Sequence, residues 1–262
     1  MKVKIVITSF NEQKNIEKCI DSLLESGIAA EDVIVIDSGS TDQTRELLAK
    51  YGVHILVNKF HSMAVQRNIA LSFVAETYGD DMPVLIFDAD ERFSKDFFRE
   101  VFMKVSEAKS SRWKLRICRK MFFNGAWMKA ASNFPVFIDR GSCAGNQSWV
   151  DSGHGEAIEN YESVIDIKIP VSEVDEKGLE NMLVRHVKYA KGEALVTTKD
   201  RADDGYWTTF LRKRRGSFLF LMLYCAYLIF YKRLIFADSR EQDYALIKLQ
   251  YEINIRLFQR YE

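Results

Sequence analysis

The chain has 262 residues, 47% of them hydrophobic, with Lys plus Arg and Asp plus Glu balanced at 37 each. That length buries a substantial core in one main α/β domain with a C-terminal appendage. The charge balance excludes a global field drawing the protein onto nucleic acid, so an electrostatic partner has to meet a local patch.

From the N-terminus, MKVKIVITSF is too soon broken by Asn11 and Glu12 to form a signal-peptide core, and the expectation is a protein on the cytoplasmic side. The four cysteines, Cys19, Cys118, Cys143 and Cys225, lack zinc-ligand spacing and read as reduced thiols. Over the first hundred residues short apolar runs alternate with amphipathic stretches, the pattern of βα units around a largely parallel sheet. The predicted strands are Lys2 to Thr8, Val33 to Asp37, Val53 to Val57 and Val84 to Asp88. Between them Ile16, Ile20, Leu23 and Leu24 recur at helical spacing before a stop at Gly27, Ser40 or Thr41 caps a second helix, and Met63 to Tyr78 forms a third. Phe97, Phe98, Val101, Phe102 and Val105 make the stripe of a fourth.

Beyond Arg112 the pattern changes to short aromatic-rich strands, WKLRICRKMFFNGAW and FPVFIDR, then the glycine-rich turn DSGHGE and a helix over about 177–197. Next, RKRR at 212–215 precedes the apolar run FLFLMLYCAYLIFY, closed by Lys232 and Arg233. This run is shorter than the roughly 20 apolar residues of a spanning helix, and its basic flanks suit an anionic leaflet. The expectation is peripheral attachment to the inner face of the cell membrane through Ser217 to Tyr231, with Tyr224, Tyr227 and Tyr231 as interfacial anchors. The competing reading packs the run under Tyr244, Ile247, Tyr251 and Phe258 of a last helix from Arg240 to Glu262.

Four segments carry chemistry. LIFDADE brings Asp88 and Asp90 to the carboxyl end of a buried strand, sharing a face by alternation while Glu91 points away. Paired hard carboxylates there suit Mg²⁺ or Mn²⁺ shared with substrate phosphates. VIVIDSGSTDQT ends its strand at Asp37, a carboxylate placed to accept from a uracil-type N–H or to hold a capping turn. TSFNE adds Thr8, Phe10 and Glu12 at the same sheet edge, Phe10 being either a base-stacking face or core. In HSMAVQRNIAL, Arg67 lies near a helix start, able with the free N–H groups to hold a diphosphate, or simply solvated.

TSFNE, DSGSTD, QRN and DAD occur in the order found in GT-A fold, family 2 glycosyltransferases, which the first 110 residues resemble. FFNGAW, GHGE and RHVKYAKGEA are similar to the branch of lipopolysaccharide-core β-1,4-glucosyltransferases and exopolysaccharide transferases. The resemblance implies a Rossmann-like nucleotide-binding half with a mixed sheet (1–110), an acceptor half (111–200) and a C-terminal helical, membrane-associating region (201–262). It implies inverting transfer from a nucleoside diphosphate sugar, UDP-linked by preference, to a hydroxyl of a lipid-linked saccharide, with one general base. Many members carry an acidic E-D pair for this role, which the acceptor half here lacks. Glu156 of GHGE is the first substitute and Asp151 the next, with His154 as a metal, phosphate or acceptor contact; the competing reading of GHGE is a glycine-bracketed surface turn. His186, on the apolar face of its helix, stays outside the catalytic set. A polyprenyl-phosphate glycosyltransferase, whose phosphate nucleophile needs no base, and a catalytically silent membrane-bound binding module are the alternatives. Self-association through the C-terminal helices is a further expectation, and no nucleic-acid partner is expected.

Overall fold

The structure, a computed structural model, describes residues 2–129, 132, 135, 137–152, 155–196 and 217–261. His154 and the RKRR segment lie outside them, so nothing follows about either. The chain divides into two compact units, Met1–Lys120 with Pro135–Glu176 and Met121–Phe134 with Lys177–Glu262.

The first unit opens with a βα series. Strands β1 (Lys4–Ser9), β2 (Val33–Asp37), β3 (His54–Val57) and β4 (Pro83–Asp88) run parallel, connected by α1 (Ile16–Glu25), α2 (Thr44–Ala49) and α3 (Met63–Tyr78). All four strands fall within a residue or two of the predicted segments, because β1, β2 and β4 are apolar enough to be covered on both faces. Residues Ile5, Ile7, Val33, Val35, Leu85 and Phe87 enter one core cluster, and Val6, Ile34, Ile36, Val84 and Ile86 enter another. A short β5 (Glu91–Arg92) leads into α4 (Lys95–Ser106), whose Phe97, Phe98, Val101 and Val105 are buried as their spacing requires.

The expected cap of α2 differs: Gln43 occupies the N-cap, and Ser40 and Thr41 instead hydrogen-bond to Asn11 of the first loop. Those polar side chains have a better use in bonding two neighbouring loops than in capping a helix of six residues.

Strands β6 (Trp113–Phe123) and β7 (Ala126–Trp127) form a hairpin, followed by β8 (Phe137–Cys143), the β9–β10 hairpin (Ser148–Ser152, Gly155–Glu159) and β11 (Ser163–Val174). Strand β8 is antiparallel to β4 and to β6, giving the order β3-β2-β1-β4-β8-β6-β11-β5. Gly141 of β8 passes so close to its neighbours that an added Cβ would lie 3.1 Å from the Val84 carbonyl oxygen. Strands β6, β7, β8 and β11 of the predicted mixed half thus continue the same sheet, while β9 and β10 form a separate two-stranded one. A parallel βα half continued by antiparallel strands is the mixed sheet expected of a GT-A fold.

In the second unit, Asn124 and Gly125 both take positive φ (48° and 76°), the backbone of a type I′ turn, which Asn-Gly favours. The chain continues as α5 (Leu179–Val196), α6 (Phe218–Ala226), a wide π-type turn over Tyr227–Tyr231, a 3₁₀ turn at Leu234–Phe236 and α7 (Ser239–Tyr261). Phe123, Met128, Leu228, Leu234, Tyr244 and Ala245 form one buried cluster. Ala190, Ala194 and Ile255 form a second between α5 and α7. Among the described residues no helix is long and apolar enough to cross a membrane.

Candidate active site

The candidate site lies at the carboxyl ends of β1 and β4, where ligands of open α/β sheets gather. Thr8 and Asp88 are register partners there, and the Thr8 hydroxyl donates to Asp88 Oδ1 at 2.9 Å. Arg140, projecting from β8 and almost wholly buried, donates to Asp88 Oδ2 at 2.6 Å and lies 3.4 Å from Glu91 Oε1. A second guanidinium, that of Arg67, comes within 3.6 Å of Asp88 Oδ1. Burial opposes ionisation of Asp88, but Arg140, Arg67 and the Thr8 hydroxyl outweigh it and hold the carboxyl at about 2.

Asp90 is placed differently from the strand-alternation expectation. The chain turns at Ala89 and Asp90, and Glu91 folds back so that its Oε2 accepts from the Asp88 N–H at 3.0 Å instead of pointing away. Asp90 is half-buried, and no hydrogen bond or ion pair from a described residue reaches its carboxylate. Burial first, then the negative charges of Glu173, Asp88, Glu12 and Glu91, push it well above the usual carboxylate range. A partnerless carboxylate among four others invites a cation.

Among the described residues no three His, Cys, Asp or Glu side chains are arranged to enclose a metal. Mg²⁺ is commonly bound by only one or two carboxylates and completed by substrate phosphates and water. Asp90 fits that sparser donor set, while both oxygens of Asp88 are already engaged.

The QRN segment of α3 is a hub. Gln66 donates to Ser38 Oγ at 2.9 Å and to the Asn58 carbonyl, tying α3 to the loops after β2 and β3. Asn68 exchanges two 2.8 Å bonds with the Trp149 backbone, tying it to the β9–β10 hairpin. Arg67 itself is 1% exposed, stacks over the Trp149 ring at 4.3 Å and donates to Glu156 Oε2 at 3.0 Å. Its guanidinium therefore joins Asp88 to Glu156 and is neither solvated nor aimed at open space.

Glu156 sits in β10 directly across the hairpin from Asp151, which is exposed. Burial lifts the Glu156 carboxyl above its ordinary value, Arg67 pulls it partly back, and Asp88 adds to the rise. This is the environment of a carboxylate with enhanced affinity for a proton.

The remaining candidates ring the same edge. Asp37 is fully buried, and its carboxylate accepts from Ser9 Oγ (2.7 Å), Ser40 Oγ (2.6 Å) and the N–H groups of Ser40 (2.7 Å) and Gly39 (3.1 Å). It holds the loop that follows β2. Phe10 is 53% exposed just past β1, outside the core, with its face available for stacking. Glu12 accepts from Asn15 at 2.9 Å, and its N–H donates to Thr44.

Sequence reasoning missed Arg140 and Glu173, the latter paired with Arg119 at 2.7 Å near the end of β11. A signal existed for both. Arg140 interrupts an apolar strand, where a charge requires a partner, and SVIDIKIPVSEV alternates with period two, with Ile167 and Val171 buried.

Residues 4–129 match the family described as Glycosyl transferase family 2. Over 100 residues, 36% of this chain and 38% of the relative, the sequence is 30% identical to a putative teichuronic acid biosynthesis glycosyltransferase, TuaG, of Bacillus subtilis. An uncharacterized glycosyltransferase of Rickettsia bellii is 32% identical over 100 residues, 38% of this chain and 31% of that one. The chain thus spans less than two fifths of the length of each of these relatives. Among solved structures, the mannosyltransferase PcManGT from Pyrobaculum calidifontis, in complex with GDP-Man and Mn²⁺, superposes with a TM-score of 0.54 at 13% identity, covering 99% of this chain and 87% of that one. That likeness is one of fold.

Proposed function

We propose, for a chain whose residues 4–129 belong to glycosyl transferase family 2, that it is an inverting, metal-dependent glycosyltransferase acting on a nucleoside diphosphate sugar and a hydroxyl of a lipid-linked glycan. The observation that carries this reading is the buried Arg67, which bridges Asp88 at the end of β4 to Glu156 of the β9–β10 hairpin, next to an Asp90 carboxylate that no described residue engages. Hexosyl transfer from a UDP-linked donor and a place in lipopolysaccharide, capsule or exopolysaccharide synthesis rest on the sequence resemblance. Support for a nucleotide-sugar donor and a divalent cation comes from PcManGT, solved with GDP-Man and Mn²⁺.

A divalent cation, when bound, neutralises charge developing on the departing diphosphate. Asp90 would hold it, and Asp88, fixed by Arg140 and Arg67, would orient the site beside it. Phe10 offers its exposed face to the base, and Asp37 keeps the adjoining loop in shape. Glu156 takes the proton from the acceptor hydroxyl as that oxygen attacks C1 and the bond from C1 to the phosphate oxygen breaks on the opposite face. Its raised proton affinity suits this step. Arg67 keeps Glu156 directed, and its own charge is unchanged by the transfer.

The test is a screen of nucleoside diphosphate sugars for release of nucleoside diphosphate by the purified full chain, in detergent, with and without Mn²⁺ and lipid-linked hydroxyl acceptors. Consumption of one donor only with metal, accelerated by a hydroxyl acceptor, supports the reading. Metal-independent consumption, or none with any donor, overturns it. Transfer to a polyprenyl phosphate that survives Glu156→Gln would favour a phosphate acceptor instead.

A further inference from the structure

The apolar run after residue 217 has two opposite faces. Leu221 and Leu228 are buried, as is Leu234 beyond them, and Tyr224 and Tyr227 pack beside the cluster that contains Tyr244 and Ala245. That side satisfies the reading in which the run is covered by the last helix. The other side is bare: Leu219, Leu223, Phe230, Tyr231, Ile235 and Phe236 are 58% to 82% exposed. Of the three tyrosines expected as interfacial anchors, two belong to the packed side, and only Tyr231 is exposed.

The exposed side is also not a helix face. Helix α6 ends at Ala226, the chain widens through Tyr227–Tyr231, and Arg233 takes a left-handed backbone (φ 54°) before Leu234–Phe236. The resulting corner puts Phe230 and Tyr231 before Lys232 and Arg233, and Ile235 and Phe236 after them. Residues 217–236 contain no Asp or Glu, and Arg233 is exposed. With the neighbouring Asp238 already paired to Arg240 at 2.9 Å, apolar side chains flanking Lys232 and Arg233 are the chemistry of the boundary between acyl chains and anionic headgroups.

We infer that the 229–236 corner is a lipid-binding wedge that seats this protein on an anionic membrane surface, with Phe230, Tyr231, Ile235 and Phe236 entering the interface and Lys232 and Arg233 meeting headgroup phosphates. Charge decides between this occupant and a second copy of the chain. A two-fold dimer brings a patch against itself, which would gather Lys232 and Arg233 of both copies into one interface, whereas an anionic surface complements them. The inference rests on this surface alone and not on the proposed transferase chemistry.

The experiment is co-sedimentation of the full chain with vesicles of phosphatidylcholine containing phosphatidylglycerol, and with pure phosphatidylcholine. Binding to the anionic vesicles at least tenfold tighter than to neutral ones is expected. Phe230→Ser with Phe236→Ser should weaken binding at least tenfold on the anionic vesicles, and Lys232→Glu with Arg233→Glu should abolish the preference for anionic lipid. A Phe230→Trp variant should show a blue-shifted emission on vesicle binding. All these side chains except half-buried Lys232 are exposed, so melting temperature and metal-dependent donor consumption should stay at the unmodified level; a protein that binds vesicles yet consumes no donor would count against the transferase and not the wedge. A chain that ignores anionic vesicles, or that sediments as a dimer dispersed by Phe230→Ser with Phe236→Ser, overturns the inference.

Discussion

Replacing Asp90 by Asn separates stability from function. The Asp90 carboxylate receives no hydrogen bond or ion pair from a described residue, and burial together with Glu173, Asp88, Glu12 and Glu91 raises its proton affinity. A group whose folded pKa lies above its unfolded value loses stability as pH rises past the unfolded pKa, so the raised proton affinity of Asp90 makes a negative charge there a net burden at neutral pH. Asn deletes that charge without breaking a bond. The unliganded variant should therefore be more stable by about 1 kcal/mol, the usual size of a single stabilising substitution, or roughly 2–4 °C in melting temperature for a domain of this size. With Mn²⁺ and a nucleoside diphosphate the order should invert, because ligand at about 100 times its Kd stabilises the unmodified protein by about 2.7 kcal/mol and the Asn variant has lost the ligating oxygen. Scanning calorimetry with and without metal and nucleotide reads both effects. An unliganded variant that melts lower, or one that gains as much from Mn²⁺ and nucleotide as the unmodified chain, refutes the reasoning.

Glu156→Gln should lower turnover by about 10²- to 10⁴-fold, the span of general acid–base catalysis, with donor affinity retained; near-normal turnover with a hydroxyl acceptor would exclude Glu156 and shift attention to Asp151 across the hairpin. Because the base works ionised and its pKa is raised, the acidic limb of the rate profile should lie above the ordinary carboxylate range, and Arg67→Met, which removes the lowering charge, should move it higher still. Arg67→Met also strands a buried carboxylate and should cost about 3–5 kcal/mol in urea unfolding, part of it recovered when Glu156→Leu is added. Glu100 accepts from the Ile169 N–H at 2.8 Å and pairs with Lys104 at 2.7 Å; burial works against its ionisation, but these partners lower its pKa on balance. Glu100→Gln should thus be less stable at neutral pH, by a margin that holds above the unfolded carboxylate pKa of about 4.3 and vanishes as pH falls through the folded value. A margin independent of pH would show that the ionised form is not what matters there.

Local patterns carried the βα series, since a covered parallel strand needs a run such as VIVID or VLIF and its helix needs a 3.6-residue stripe, as in Phe97, Phe98, Val101 and Val105. Patterns of the same kind suffice to put Asp37 and Asp88 at strand ends, Asp90 just beyond, and Arg67 on α3. No local pattern could say what Arg67 touches, because Glu156 is 89 residues away and Asp88 lies on another strand. Which way Asp90 and Glu91 turn depended on a two-residue bend that strand alternation does not foresee, and on Arg140, brought in by an antiparallel strand paired to β4. For the apolar run, composition showed only that it shuns water. Whether each side chain meets another helix or stays bare depends on where the chain bends at Tyr227 and Arg233, and that bend is set by packing against Tyr244 and Ala245, not by hydropathy, which carries no direction.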